Sequence, residues 1–182
     1  PSAQSTDPRA FEATRPVLPC WPALGSWIVE VQMESFIAAR QSDWYVMGLP
    51  AFNDNYLWLI VHEPSQQALV VDPGCGTTVQ KFLDDHSLHL SGILVTHHHP
   101  DHIGGIDYLI SYFNYSIEVI GINRVKQVNR VISEGKSIEF FGLTIQVMEV
   151  PGHTRDHLAY FITLVGQTWL FCGDTLFSAG CG

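Results

Sequence analysis

Four histidines and one aspartate fall within the six residues 97–102, and this cluster constrains the fold more than any other feature of the chain. The surrounding stretch, residues 96–105, reads THHHPDHIGG, and its two final glycines would let backbone approach the cluster closely. It follows an apolar run that predicts a buried strand and precedes a segment that predicts a helix. A surface histidine cluster or a purification tag would not lie between two such elements. The cluster therefore predicts a metal site at the end of a strand.

The spacing within the cluster predicts two neighbouring metal ions. Alternate residues of an extended segment point the same way, so His97 and His99 can bind one ion while His98 points elsewhere. Asp101 and His102 follow in the turn, where they can reach a second ion. Imidazole and carboxylate groups are the ligands that zinc and other borderline divalent ions select.

Two later turns supply further candidate ligands. His153 lies in the stretch VPGHT, where a Pro-Gly turn ends a predicted strand, and it would complete a set of three histidines with His97 and His99. Asp174 lies in the stretch FCGDTL, at the end of another predicted strand, where its carboxylate could bridge two cations. On its own each residue would more often be structural. Beside the first cluster, both are predicted metal ligands.

The composition is that of a globular protein and argues against a nucleic-acid or membrane partner. Hydrophobic residues make up 46% and charged residues 15% of the 182-residue chain, which is enough for one domain with a full core. A net charge of -9 argues against nucleic acid, since phosphate binders usually show a basic face. No apolar stretch approaches the roughly 20 residues of a membrane helix. The four cysteines form no C-x-x-C pair, so we expect reduced thiols and a cytoplasmic protein.

Apolar runs and amphipathic segments predict a layered α/β fold from Trp44 onward. The predicted strands cover residues 56–61, 68–71, 92–96, 117–120, 137–141, 143–150, 158–165 and 168–172. The predicted helices cover residues 77–86, with Thr77 or Thr78 as the N-cap, and residues 103–113. Because several strands are apolar throughout, we expect sheets that are covered by helices.

Residues 1–44 differ from the rest of the chain. Five prolines fall before Trp27, with no sustained hydrophobic period. This predicts a disordered leader or a non-native extension, and a short helix over residues 28–40 is an alternative. The chain opens with Pro1 and ends at Gly182 within a Gly-rich run, so the domain over residues 45–182 is expected to be incomplete at its C-terminal side.

The three motifs together resemble the metallo-β-lactamase superfamily. The resemblance rests on the pattern T-H-x-H-x-D-H-x-G-G, then P-G-H-T, then F-x-G-D-T-L-F. Within the superfamily, PAFNDNY at residues 50–56 and DTLFSAGCG at residues 174–182 are similar to the glyoxalase II family, and the similarity extends roughly from Met47 to Gly182. The resemblance implies a four-layer αβ/βα sandwich. It also implies one metal bound by His97, His99 and His153, a second bound by Asp101 and His102, and Asp174 as the bridge.

The resemblance further implies a thioester hydrolase that cleaves S-(2-hydroxyacyl)glutathione, such as S-lactoylglutathione, to glutathione and a 2-hydroxy acid in methylglyoxal detoxification. The expected cofactors are two divalent ions, with zinc favoured over iron or manganese. Ions about 3.5–4 Å apart would lower the pKa of a shared water, and the resulting hydroxide would attack the thioester carbonyl. Asp101 and Asp174 are the expected catalytic residues. We expect a monomer with a small-molecule substrate and with no nucleic acid or membrane partner.

The chain departs from the family pattern at several points. The family has one more metal-binding histidine, and C-terminal helices, beyond the point that matches Gly182. Its motif P-G-H-T is usually followed by a variable residue, Gly and His. Asp156 stands here in place of that Gly, and we favour a solvent-facing Asp156 over one that hydrogen-bonds a ligand. His157 matches a family position without a ligand role, and Asp72 either supports a metal ligand or only caps its turn.

Two alternatives to the hydrolase are kept. A persulfide dioxygenase of the same superfamily uses one iron and shares the Gly-Asp and Gly-Cys-Gly elements, but DNY at residues 54–56 and IGG at residues 103–105 favour the hydrolase. An inactive metal-binding fragment is the second, because a missing ligand typically costs about 10–100-fold in affinity or activity. A β-lactamase proper fits less well, since Asp174 stands where such enzymes commonly have a cysteine.

Overall fold

Seven strands lie side by side in chain order and form the larger of two main sheets. The computed structural model describes residues 35–53, 55–164, 167–177 and 180–182. The strands are β1 (Phe36–Gln41), β2 (Trp44–Ala51), β3 (Asn55–His62), β4 (Gln67–Val71), β5 (His89–Leu94), β6 (Glu118–Gly121) and β7 (Arg130–Val131). Neighbours from β1 to β4 are antiparallel, and neighbours from β4 to β7 are parallel. The histidine cluster follows β5, in the parallel half of the sheet.

Helices form two of the crossovers that parallel strands require. Helix α1 (Gly76–Asp85) joins β4 to β5, and helices α2 (Pro100–Ile103) and α3 (Ile106–Phe113) lie between β5 and β6. Helix α1 is amphipathic, with Val79 and Leu83 fully buried, and it packs against α3 and β2. The predicted N-cap is wrong because the helix begins one residue earlier than expected. Cys75 occupies the N-cap position, and its side chain makes no capping hydrogen bond.

The second sheet has four antiparallel strands in the order β11-β10-β9-β8. These strands are β8 (Ser137–Phe140), β9 (Leu143–Glu149), β10 (Leu158–Leu164) and β11 (Gln167–Phe171), followed by the short pair β12 (Leu176–Phe177) and β13 (Gly180–Cys181). Strand β9 alternates, with Leu143, Ile145 and Val147 buried in the common core. One face of this sheet therefore packs onto the rest of the protein.

Two hydrogen bonds join the sheets at the end of β5. The fully buried Tyr160 of β10 donates its hydroxyl to the carbonyl of Val95 over 2.8 Å, and burial raises the pKa of this phenol well above 10. The backbone N–H of Leu158 donates to the carbonyl of Thr96 over 2.9 Å. Because these bonds adjoin His97, the histidine cluster lies at the seam between the two sheets.

The sheet begins earlier than the sequence predicts. Strand β1 lies inside the stretch predicted as a leader, and residues 36–40 are extended rather than helical, so the helix predicted over residues 28–40 is wrong there. Pairing with β2 and packing of the Phe36 ring on Tyr56 and Trp58, at centroid distances of 5.2 and 5.9 Å, hold this segment in place. These tertiary contacts leave no local pattern in the sequence. Residues 1–34 lie outside the described residues.

The helix predicted over residues 103–113 is divided in two by Gly104 and Gly105. A Cβ on Gly105 would lie 2.3 Å from the nitrogen of Gly76, and its own N–H donates to the carbonyl of Pro73 over 2.8 Å. The sequence predicted that backbone would come close to these glycines, and the backbone that does so is the turn between β4 and α1. This contact ends α2 and starts α3 in a new direction.

The described elements form the predicted α/β sandwich. Among the residues described from β8 onward, the only helical segment is the 3-10 turn Gly173–Thr175, so a helical layer on the second sheet is not part of the described chain. No helix in the described segments is long and apolar enough to span a membrane. Cys172 and Cys181 are free, as predicted, whereas the prediction of a reduced thiol is wrong for Cys75, which is disulfide-bonded. Cys20 is not among the described residues.

Candidate metal centre

Four of the predicted ligands meet around one point at the seam. The distance between His97 Nε2 and His99 Nδ1 is 3.1 Å, and that between His99 Nδ1 and His153 Nε2 is 2.9 Å. Asp174 Oδ2 lies 3.3 Å from His153 Nε2 and 3.8 Å from His97 Nε2. A tetrahedral ion with bonds of about 2.0–2.1 Å sets its ligand atoms about 3.3 Å apart. The three nitrogens and one oxygen could therefore hold one tetrahedral divalent ion, and we call these four residues the first ligand group.

The remaining predicted ligands form a second ligand group beside the first. His102 Nε2 lies 3.0 Å from Asp174 Oδ1 and 3.5 Å from Asp101 Oδ2. Despite these short distances, the buried His102 Nε2 makes no hydrogen bond within the described part of the chain. These three atoms lie close enough together to share a cation. Three ligand atoms would leave further coordination positions open.

Asp174 divides its two carboxylate oxygens between the ligand groups. Oδ2 faces His97 and His153, whereas Oδ1 faces His102. The residue lies in the 3-10 turn that follows β11, and the preceding Gly173 has a φ of +47°. This turn directs the carboxylate back across the seam. The two oxygens could therefore contact two different cations.

Asp72 orients His102 and supports the start of the histidine cluster. Its Oδ2 accepts hydrogen bonds from Thr96 Oγ1 over 2.6 Å and from His102 Nδ1 over 3.1 Å, and its Oδ1 accepts one from the N–H of Thr96 over 2.7 Å. Donation from Nδ1 fixes the tautomer that leaves the Nε2 lone pair free for a metal. The sequence left open whether Asp72 supports a ligand or caps its turn. Its carboxylate orients the candidate ligand His102, and its backbone carbonyl accepts the N–H of Gly74 over 2.8 Å.

The pKa values of the ligand histidines diverge because their neighbours differ. Burial lowers the pKa of the fully buried His97 to about 2, and the neighbouring histidines in their cationic forms add to this effect. Burial also acts to lower the pKa of His102, but the hydrogen bond that it donates to Asp72 and the negative charges of Asp72, Asp174 and Asp101 raise it overall. His97 is therefore neutral, the form that binds metal, whereas protons compete with metal at His102.

Asp156 and His98 lie beside the first ligand group. The interpretation that Asp156 faces solvent is wrong for one of its oxygens, because Oδ1 is buried and unpartnered among the described residues. Burial lowers the pKa of His98 and Arg124 lowers it further, whereas the nearby Asp156 carboxylate raises it. Asp156 therefore faces the non-ligand histidine of the cluster, next to a cavity of about 450 Å³ that Arg124 and Arg155 also line.

A second cavity, of about 470 Å³, opens next to the second ligand group. Asp101, His102 and Asp174 form its polar end. Its walls include a set of large apolar residues: Tyr56, Trp58, Leu170, Leu176 and Phe177. Leu176 and Phe177 are more than half exposed, so the cavity is open to solvent. A volume in this range suits a small organic ligand.

The family follows from the sequence match as well as from the fold and site. Residues 52–182 match the Metallo-beta-lactamase superfamily, and the chain belongs to this superfamily. The structure of ETHE1 from Myxococcus xanthus superimposes with a TM-score of 0.58 at 28% identity, over 70% of this chain and 55% of that one. The predicted superfamily and its α/β sandwich are confirmed.

The chain is also similar to curated relatives that are named hydroxyacylglutathione hydrolase. A hydroxyacylglutathione hydrolase of Psychromonas ingrahamii is 45% identical over 139 residues, and one of Photobacterium profundum is 48% identical over 139 residues. Each match covers 75% of this chain and 53% of the relative. The chain thus spans about half the length of the curated relatives it matches.

Proposed function

We propose that the protein hydrolyses S-(2-hydroxyacyl)glutathione thioesters, such as S-lactoylglutathione, to glutathione and a 2-hydroxy acid, as in the second step of methylglyoxal detoxification. The observation that carries this proposal is the division of the two Asp174 oxygens between two ligand groups. The names and the 45–48% identity of the hydroxyacylglutathione hydrolases support the substrate class. The open cavity beside Asp101 offers space for such a thioester.

We propose His97, His99, His153 and Asp174 as the ligands of one divalent ion, and Asp101, His102 and Asp174 as ligands of the other. Nitrogen-rich tetrahedral sites favour zinc, with iron or manganese as alternatives. When bound, two such ions supply Lewis acidity and a water activated near neutral pH.

The residues of the chain supply the orientation that this chemistry needs. Asp101 is about half exposed and faces the cavity, where its Oδ2 accepts a hydrogen bond from Asn55 Nδ2 over 3.4 Å. This contact restricts the carboxylate, which can then orient a water by accepting its hydrogen bond. The leaving group is a thiol with a pKa near 8.5, so no strong general acid is required. The aromatic wall of Tyr56 and Trp58 can exclude water from the bound thioester.

The proposal is tested by an Asp174→Asn variant of the full-length protein, assayed for thiol release from S-lactoylglutathione and for bound metal by mass spectrometry. An amide cannot bridge two cations as a carboxylate does, so we expect at least about a hundredfold lower turnover and loss of metal. Asp85→Asn is the matched control, because Asp85 is an exposed carboxylate of α1 that pairs with Lys81. Unchanged metal content and turnover in Asp174→Asn would refute the proposal.

A persulfide dioxygenase is the second candidate. The observation in its favour is the similarity to the structure of ETHE1, a persulfide dioxygenase. The wild-type protein separates the two functions: one bound iron and consumption of oxygen with glutathione persulfide would favour the dioxygenase. Two bound ions and thiol release from the thioester would favour the hydrolase.

We further propose that the protein acts as a monomer on a small-molecule substrate, which size-exclusion chromatography with light scattering would test. The cytoplasmic location stays a prediction. It was based on four reduced thiols, and Cys75 is disulfide-bonded.

A further inference from the structure

His157 is a buried polar residue to which the proposed chemistry gives no task. It is fully buried just before β10, and neither ring nitrogen makes a hydrogen bond of good geometry among the described residues. Burial lowers the pKa of this imidazole, and a hydrogen-bonding contact with the Cys172 backbone offsets that effect only in part. A buried polar group without a good hydrogen bond costs free energy, so it needs an explanation in a native structure. An apolar side chain would fill the same space without this cost.

The ring of His157 stacks on the ring of His97. The centroids lie 4.5 Å apart and the planes are inclined by only 18°. The candidate ligands meet the His97 ring at larger angles: His99 and His153 edge to face, at 76° and 84°, and His102 tilted by 51° at a centroid distance of 4.2 Å. His157 is therefore the flat support against which the plane of the His97 ring is set.

The same residue contacts the other two segments that carry the first ligand group. Its carbonyl accepts the N–H of Val150 over 2.8 Å, at the start of the turn that presents His153. Its Nε2 lies against Gly173, where a Cβ would come within 2.7 Å, and Gly173 immediately precedes the bridging Asp174. All four residues of the first ligand group are thus on segments that touch His157.

We propose that His157 is a positioning residue for the first ligand group: its ring, stacked beneath His97 and against Gly173, holds the three ligand-bearing segments at metal-binding distance. This inference rests on the proposed metal centre. It assigns His157 no contact with metal or substrate. The planar ring, rather than mere volume, is the property that matters.

The test compares His157→Phe with His157→Leu in the full-length protein and measures the two metal affinities by competition with a chromophoric chelator. Loss of a group that orients a ligand typically costs about 10–100-fold in metal affinity. For His157→Leu we expect a loss of this size for one ion, with less than about threefold change for the other. Phenylalanine retains the stacked ring and should restore the affinity to within about threefold of wild type. The visible spectrum of the cobalt-substituted protein should change in the leucine variant only.

A loss of global stability is controlled by Ile138→Ala, which truncates a buried side chain of β8, a strand that carries none of the candidate ligands. The inference is overturned if this control lowers the same affinity as much as His157→Leu does, or if His157→Leu binds both ions as wild type. It is also overturned if the phenylalanine variant folds but binds no better than the leucine variant. Metal affinity is measured without turnover, so a wild type that binds two ions but hydrolyses no thioester would refute only the proposed hydrolase.

Discussion

Asp72→Asn should weaken the second metal site while leaving the fold intact. Asp72 has a φ of +49°, a conformation that asparagine adopts more readily than most residues, so the backbone should not change. The amide oxygen can still accept the N–H of Thr96. The amide nitrogen then takes the place of Oδ2. In the wild type, Oδ2 accepts hydrogen bonds from Thr96 Oγ1 and from His102 Nδ1. A donor at this position forces His102 Nδ1 to become an acceptor.

The reversed hydrogen bond moves the His102 proton to Nε2, the atom 3.0 Å from Asp174 Oδ1 and 3.5 Å from Asp101 Oδ2. Metal binding must then return the proton of His102 to Nδ1. In the variant, this places the Nδ1–H group against an N–H group of the residue-72 amide, which is unfavourable. Losses of orienting partners cost about 10–100-fold in metal affinity, or about 1.4–2.7 kcal/mol. The first ligand group meets Asp72 through Thr96, whose Oγ1 lies 3.0 Å from His97 Nδ1 as well as 2.6 Å from Asp72 Oδ2, so we expect a smaller loss of affinity there than at the second.

Titration of metal-free protein with zinc against a competing chelator measures both affinities, and nitrogen chemical shifts of the imidazole report the tautomer. Asp85→Asn again serves as the matched control. Wild-type affinity at both sites in Asp72→Asn would refute the reasoning, as would a proton that remains on His102 Nδ1.

Three further predictions concern stability. Gly173 has a φ of +47°, and in Gly173→Ala the added Cβ would lie only 2.4 Å from Thr96 Oγ1. We therefore expect the free energy of unfolding, measured with urea, to fall by about 2–5 kcal/mol. A loss below about 1 kcal/mol would contradict the close approach. Tyr160→Phe removes one buried hydrogen bond and should cost about 1 kcal/mol by the same measurement, and a neutral result would mean that this bond adds nothing at the seam. The metal-free protein should lose stability as pH falls from 7 to 5, because the pKa of His97 drops from 6.5 in the unfolded chain to about 2 in the folded one, which removes about 2 kcal/mol. His102 makes the opposite contribution, because its pKa is raised on folding and its protonation stabilises the folded protein. The loss of stability between pH 7 and 5 should therefore be larger in His102→Gln.

The strand pattern of the core was predictable because buried strands are recognisable from local composition. The predicted strand over residues 56–61 is observed as Asn55–His62, and that over residues 68–71 as Gln67–Val71. Both are continuous apolar runs. Strand β2 was not predicted, although most of its residues are buried, because Gly48 and Pro50 interrupt its apolar pattern. Its place in the sheet is set by pairing with β3 along its whole length.

The candidate ligands were predictable because metal chemistry restricts them to a few residue types at strand ends. The supporting residues were not. His157 becomes informative only when its ring is seen on His97, and Thr96 only when its N–H and hydroxyl are seen on Asp72. The burial of one Asp156 oxygen likewise depends on packing between distant loops. Residue type indicates which side chains could bind a metal, whereas tertiary packing decides which residues hold those side chains in position.

The seam position of the ligands has a consequence for how the protein acquires its metals. His97 and His99 follow a strand of one sheet, whereas His153 and Asp174 follow strands of the other. Before the two halves dock, the nascent chain can offer a cation little more than the local run of residues 97–102. High-affinity loading must therefore come late in folding, and a bound ion then acts as a cross-link that keeps the halves from separating.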